Sequence, residues 1–160
     1  MSLKRSKLAR WCAHGEIWVI AQMLAMLAVL VLAPFSAGHD PRVPHRPLGF
    51  GLLGLSAVIA IAGTVHLGRN LSPRPKPHPR STLVRHGIYG WVRHPLYLSL
   101  MLAAFGWALL WQSLAALVAA LVLTLVLDAK SRVEERWLRR QFPAYDEYAR
   151  AVRRFVPWIY

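Results

Sequence analysis

Residues 96–127 read LYLSLMLAAFGWALLWQSLAALVAALVLTLVL, thirty-two consecutive positions without a charged side chain. As a single helix this run would be ~48 Å long at ~1.5 Å per residue, well beyond the ~30 Å of hydrocarbon in a bilayer. Its middle, GWALLWQS at 106–113, holds Gly106, Trp107, Trp111, Gln112 and Ser113. Those residue types belong to membrane interfaces and turns. The run therefore predicts a tight helical hairpin bent near residues 110–113, with its second arm continuing out of the membrane towards Arg140.

Two apolar runs precede it, Ile17–Phe35 and Leu48–Leu67. The first follows Lys4, Arg5, Lys7 and Arg10 and resembles a secretory signal, but its nineteen residues exceed the ~7–15 of a signal core. A retained transmembrane helix is expected. The second carries Gly51, Gly54, Ser56, Ala60 and Gly63, small residues that let another helix approach closely. The turn-rich SAGHDPRVPHRP (36–47) joins the two.

Composition agrees with a membrane protein. Hydrophobic residues make up 56% of the 160 and the formal charge is +13. A soluble domain of this size cannot hide so much apolar area. A nucleic-acid binder would account for the charge but not for the apolar runs, so no nucleic-acid partner is expected. Eighteen of the 20 Lys and Arg lie before residue 17, between 69 and 95, or from Lys130 onward. By the positive-inside bias these stretches and both termini face the cytoplasm, across the inner or plasma membrane. The expectation is one all-α integral membrane domain over residues 1–160. It has four membrane segments, the last two a hairpin, and a cytoplasmic C-terminal helix. Residues 1–68 hold the first two helices, and 69–160 hold the loop, the hairpin and the tail. The single cysteine, Cys12, excludes an intramolecular disulfide and a multi-cysteine metal site.

Two polar stretches then share the cytoplasmic face. One begins SPRPKPHPRST (72–82), whose alternating prolines stiffen it, and runs into HGIYGWVRHPLYL (86–98). Proline after His94 pushes that residue into an extended conformation and starts the next helix, so a helix N-terminus that attracts anions is expected there. His78, His86 and His94 recur every eight residues, which is not a helical contact spacing, and no Cys or acid stands near them, so no metal site is predicted. The other stretch, 128–160, contains the adjacent acids Glu134 and Glu135. Consecutive helical residues diverge by ~100°, so the two are not expected to face one partner. An i, i+4 surface pair of Glu135 with Arg139 competes with an inward-facing carboxylate that meets a cationic ligand.

Together, HGIYGWVRHPLY (86–97), a charge-free hairpin, EERWL (134–138), Phe142, Tyr145, Tyr148 and a late Val-Pro at 156–157 resemble the superfamily of isoprenylcysteine carboxyl methyltransferases and phospholipid N-methyltransferases. The resemblance covers roughly residues 80–157 and implies a membrane enzyme that uses S-adenosylmethionine. Carried over by position, it implies a cofactor pocket formed by His86, Gly87, Tyr89, Arg93, His94, Pro95 and Tyr97, supported by Glu134 and Glu135 and closed by Tyr148. It implies Glu134 and a basic residue, Arg132 or Lys130, near the methyl acceptor. The chemistry is compatible: histidines and a helix N-terminus suit the cofactor's carboxylate, a glutamate its ammonium, and aromatic faces its adenine and sulfonium. In-line methyl transfer needs alignment and exclusion of water rather than a metal. The sequence departs from the family pattern at Pro143, where a glycine is common, at Tyr145, one position early against some members, and at Val152-Arg153, where Val-Pro is usual.

The implied acceptor is lipophilic and enters from the bilayer: a prenylcysteine-like carboxylate, a phospholipid amine or a small apolar thiol. Other readings remain open at the level of sequence. A sterol-reductase-like architecture would bind NADPH through the basic loop. A non-catalytic membrane subunit would use the same aromatics and charges for anchoring.

Overall fold

A computed structural model describes residues 15–38, 45–72 and 81–156. Five α-helices account for most of them: α1 (Glu16–Phe35), α2 (His45–Leu67), α3 (Pro95–Leu110), α4 (Leu114–Gln141) and α5 (Tyr145–Ala151). Short 3₁₀ turns follow α2 at Gly68–Asn70 and precede α3 at Gly87–Gly90. Three helices, α1, α2 with its 3₁₀ extension, and α4, are long and apolar enough to cross a bilayer. α3 is a shorter apolar helix. The proline-rich connector's core at 73–80, with His78, the N-terminal basic residues with Cys12, and Pro157 lie outside the described residues.

The expected bend is present. α3 ends at Leu110, and Gln112 takes a positive φ of 50°. Ser113 starts α4 by accepting a hydrogen bond from the Ala116 N–H at 3.0 Å, the ordinary Ser cap of a helix start. The end of α1 is tied to this turn, since the Gly38 N–H donates to the Trp111 carbonyl at 3.2 Å. Gly106, however, is not part of the turn. It lies inside α3, where a Cβ on it would come within 2.9 Å of the Gly49 carbonyl oxygen. Glycine is needed there because two helix backbones meet.

α2 packs along α3, and α1 along α4. The small-residue stripe on α2 runs through Gly49, Ser56 and Gly63. Gly49 faces Gly106, Ser56 donates to the Ser99 carbonyl at 2.8 Å, and Gly63 faces Leu96. These residues recur every two turns, which keeps them on one helix face. Gly51 and Gly54, also expected in the contact, meet nothing within 4 Å because they point elsewhere on the helix. The buried core lies between α1, α3 and α4: Ala25 and Val29, Met101 and Ala104, Ala120, Leu123 and Leu127, sealed by Phe155. Large side chains such as Leu24, Val58, Val65 and Leu114 remain exposed. An apolar exterior of that extent suits lipid as solvent and not water.

Candidate functional site

The loop before α3 is shaped residue by residue. Gly87 has φ +62°, and a Cβ on it would overlap the His66 ring of α2, so only glycine fits. His86 is exposed and stands edge-on to His66, ring centroids 5.8 Å apart. Tyr89 turns inward and its hydroxyl reaches the Gly63 carbonyl at 3.5 Å. The chain then extends, and Val92 forms a parallel bridge with Arg153. The Arg93 N–H donates to the Arg153 carbonyl at 2.9 Å and the His94 N–H to the Arg154 carbonyl at 3.1 Å. Pro95 begins α3, as the proline rule requires. The tail therefore docks on the loop partly through these backbone contacts, which do not depend on the side chain at 153.

Glu135, at the far end of α4, closes this joint. It is 1% exposed. One carboxylate oxygen accepts from Arg93 Nε (3.1 Å) and Nη2 (2.9 Å), from His94 Nε2 (3.2 Å) and from Arg154 Nε (3.1 Å). Arg93 also donates through Nη1 to the carbonyls of Ala149 (2.8 Å) and Val152. The surface pair with Arg139 exists at 3.5 Å, but as the outer member of a buried cluster. The anion at the start of α3 is thus the protein's own carboxylate. Glu134 points another way and accepts from the Tyr97 hydroxyl at 2.6 Å. The two acids do share a neighbour: His94 Nδ1 lies 4.0 Å from Glu134 and Nε2 3.2 Å from Glu135. The ~100° divergence on the helix is bridged by one imidazole, which stacks on Tyr97 at 5.3 Å.

Glu134 opens on a cavity of about 100 Å³. Tyr89, Arg93 and His94 of the loop, Leu138 and Phe142, and Tyr145 and Tyr148 of the tail line it, with Asn70 and Thr82 at its rim. Asn70 clamps Thr82 from both sides, donating to its carbonyl and accepting from its N–H, each at 3.2 Å. The Tyr148 hydroxyl donates to the Tyr89 carbonyl at 2.6 Å. The Tyr145 hydroxyl is buried and has no hydrogen-bond partner among the described residues. Burial pushes the Tyr89, Tyr145 and Tyr148 hydroxyls well above the usual phenol range; Glu134 adds to this for Tyr89 and Glu135 for Tyr145. All three therefore stay protonated donors.

Of the residues singled out in the sequence, Tyr89, Arg93, His94, Glu134 and Tyr148 meet at this cavity. Tyr97, Pro95 and Glu135 stand behind it, holding that wall in place. His86 and Gly87 shape the outer loop against His66. Arg132 is exposed and pairs with Asp128 at 2.9 Å, in a separate groove. Lys130 is the buried basic residue, 2% exposed, with Nζ 2.6 Å from Gln22 Oε1 and 5.1 Å from the centre of the Tyr97 ring. Phe142 and Tyr145 belong to the motif of the resemblance but were not assigned to the pocket they line. Asn70, Thr82 and Arg154 carried no sequence signal for this site, because each arrives through a turn or tail contact that no periodicity marks.

The phospholipid methyltransferase family matches residues 45–145. The chain is 37% identical over 137 residues to the cobalt-zinc-cadmium resistance protein CzcN of Cupriavidus metallidurans, covering 82% of this chain and 61% of that protein. It is 29% identical over 153 residues to the nickel-cobalt-cadmium resistance protein NccN of Alcaligenes xylosoxydans xylosoxydans, covering 95% of this chain and 69% of the relative. The chain thus spans about three fifths of the length of the first of these.

Proposed function

We propose, from the premise that this chain belongs to the phospholipid methyltransferase family, that it is an integral membrane enzyme moving a methyl group from S-adenosylmethionine to a lipophilic acceptor. The observation that carries the reading is the cavity where Glu134, His94 and three protonated tyrosines converge, with the Tyr145 hydroxyl buried and unpartnered among the described residues. A buried donor without a partner costs ~1–3 kcal/mol, and a ligand acceptor atom would remove that cost.

The donor set fits the cofactor. Glu134 offers a carboxylate to an ammonium, Tyr145 a hydrogen bond, and Tyr89, Phe142 and Tyr148 aromatic faces to a purine and a sulfonium. When bound, the cofactor supplies an electrophilic methyl on sulfur. Arg93, His94 and Glu135 position the wall, and the tail closes it against water. Isoprenylcysteine carboxyl methyltransferase-like chemistry is the form we favour for the acceptor. An almost wholly apolar cavity of about 160 Å³ between Met26, Leu53, Leu100, Ala104, Trp107 and Leu123 supports entry from the bilayer side. Lys130, beside Tyr97, is better placed than Arg132 to meet an acceptor headgroup. α3 crossing with the three longer helices gives four segments, and the Lys/Arg distribution supports cytoplasmic termini and site loops.

Calorimetry of the full chain in detergent tests this. S-adenosylhomocysteine should bind the wild type, and bind more weakly to Glu134→Gln and Tyr145→Phe. Binding of NADPH with no response to S-adenosylhomocysteine would replace this reading with the reductase-like one.

A second reading follows from the relatives, whose names place them in metal resistance. Here the chain contributes to tolerance of zinc, cobalt or cadmium without catalysing methyl transfer. Complementation of a metal-sensitive strain separates the two: full tolerance with Glu134→Gln favours the non-catalytic role.

A further inference from the structure

On the other side of α4 from Glu134 lies a second opening, a groove of about 420 Å³. Arg132, Arg136 and Arg139 line it from one face of α4, at i, i+4 and i+7. Trp18 of α1 stands opposite, and Arg154 and Glu135 form the back. The local acids do not neutralise this cluster. Asp128 is shared by Arg132 (2.9 Å) and Arg154 (3.1 Å), and Asp146 pairs with Arg139 at 2.9 Å. Glu135 is divided among Arg93, Arg139 and Arg154. Arg136 makes no ion pair among the described residues. Four arginines thus border the groove, with Glu135 as the one carboxylate among its described lining residues.

The groove is also continuous with a lipid-like surface. Stepping back along α4 from Arg132 by one-face spacings gives Leu125, Leu121, Val118 and Leu114, every one of them exposed. Trp18 lies three residues into α1, where amphipathic rings mark the boundary between hydrocarbon and headgroups. A positive groove above a long apolar stripe matches a molecule with a phosphate at one end and acyl chains at the other. A soluble phosphate would use the arginines and leave the stripe without a role.

We propose that this groove binds the headgroup phosphate of an anionic phospholipid whose chains lie along the 114–125 face of α4. The site is separate from the Glu134 cavity and stands or falls independently of methyl transfer.

The test is a native mass-spectrometric titration of the full chain in detergent with dioleoyl phosphatidylglycerol, dioleoyl phosphatidylcholine and inorganic phosphate. Phosphatidylglycerol should bind roughly tenfold tighter than phosphatidylcholine, and Arg132→Gln/Arg136→Gln should lose roughly that factor for phosphatidylglycerol alone. An unfolding midpoint in phosphatidylcholine matching the wild type shows that the double variant is folded. Should it not fold, Arg136→Gln alone, which breaks no ion pair among the described residues, carries the comparison. Equal affinity for the two lipids, or unchanged phosphatidylglycerol binding by the variant, would overturn the proposal. Stabilisation by inorganic phosphate equal to that by phosphatidylglycerol would overturn the lipid assignment in favour of a soluble anion.

Discussion

Glu135 gathers Arg93, His94 and Arg154 around a carboxylate sealed from solvent, whereas Glu134, its neighbour on α4, is held by the Tyr97 hydroxyl and opens on a cavity. One region is saturated. Every charge in it has a partner, and it ties three separate stretches of chain together. The other region leaves a buried Tyr145 hydroxyl unpaired among the described residues. A saturated cluster serves the fold, since its carboxylate is already taken up by donors from the loop and the tail. An unsaturated one stores binding capacity at the expense of stability. The pair of glutamates thus divides the work: one builds the wall and the other faces what the wall encloses.

The largest effect should come from breaking the saturated side. Glu135→Ala would leave Arg93 and Arg154 together without their common counter-ion, and removing one partner of such a buried pair costs ~3–5 kcal/mol. Thermal unfolding in detergent should show a large fall in midpoint, with the docking of the 152–155 tail lost. A midpoint within a degree or two of wild type would remove the distinction drawn between the two acids.

Glu134→Gln should behave in the opposite way. It retains a hydrogen-bond acceptor for Tyr97, so stability should change by less than about 1.5 kcal/mol. The loss of charge should instead weaken S-adenosylhomocysteine binding on the order of 10–100-fold, the range for a charged hydrogen bond. Calorimetry beside an unfolding curve reads both quantities on one preparation.

How far this division was legible in the sequence depends on the range of each contact. The hairpin could be read because length and hydropathy constrain each helix separately, and Ser113 begins its helix where the pattern places the bend. Gly106 was misplaced because a glycine has the same composition signal in a turn as in a helix crossing; Gly49, from another helix, decides between them. In the site, the family motif marked Tyr89, His94, Glu134 and Tyr148, but it did not separate the cavity from its support. That separation depends on Arg154, which reaches Glu135 from a tail with no periodic pattern. What sets Lys130 apart from Arg132, burial against exposure, likewise rests on Gln22 of α1, 108 positions away in the chain.

Tyr145→Phe sharpens the comparison through opposed signs. Deleting an unpartnered buried hydroxyl should leave stability unchanged or raise it by up to ~1 kcal/mol, while ligand affinity falls by about 2–12-fold, the worth of an ordinary hydrogen bond. A hydroxyl that merely fills space would move neither.

The smallest effect is a dependence on alkaline pH. Tyr89, Tyr145 and Tyr148 have pKa values raised by burial above the ordinary 10.0. In the unfolded chain each releases its proton near pH 10 while the folded protein still holds it, so the folded state binds more protons there and stability falls as pH rises. Their contribution is complete below about pH 10 and is drawn down above it. The unfolding midpoint should therefore decline from about pH 10 upward, and Tyr145→Phe should flatten that decline by removing one of the three protons involved. An identical slope in the variant would mean that the Tyr145 hydroxyl meets water in the folded protein. The cavity's unpaired donor, on which the contrast with the Glu135 cluster rests, would then be solvated already.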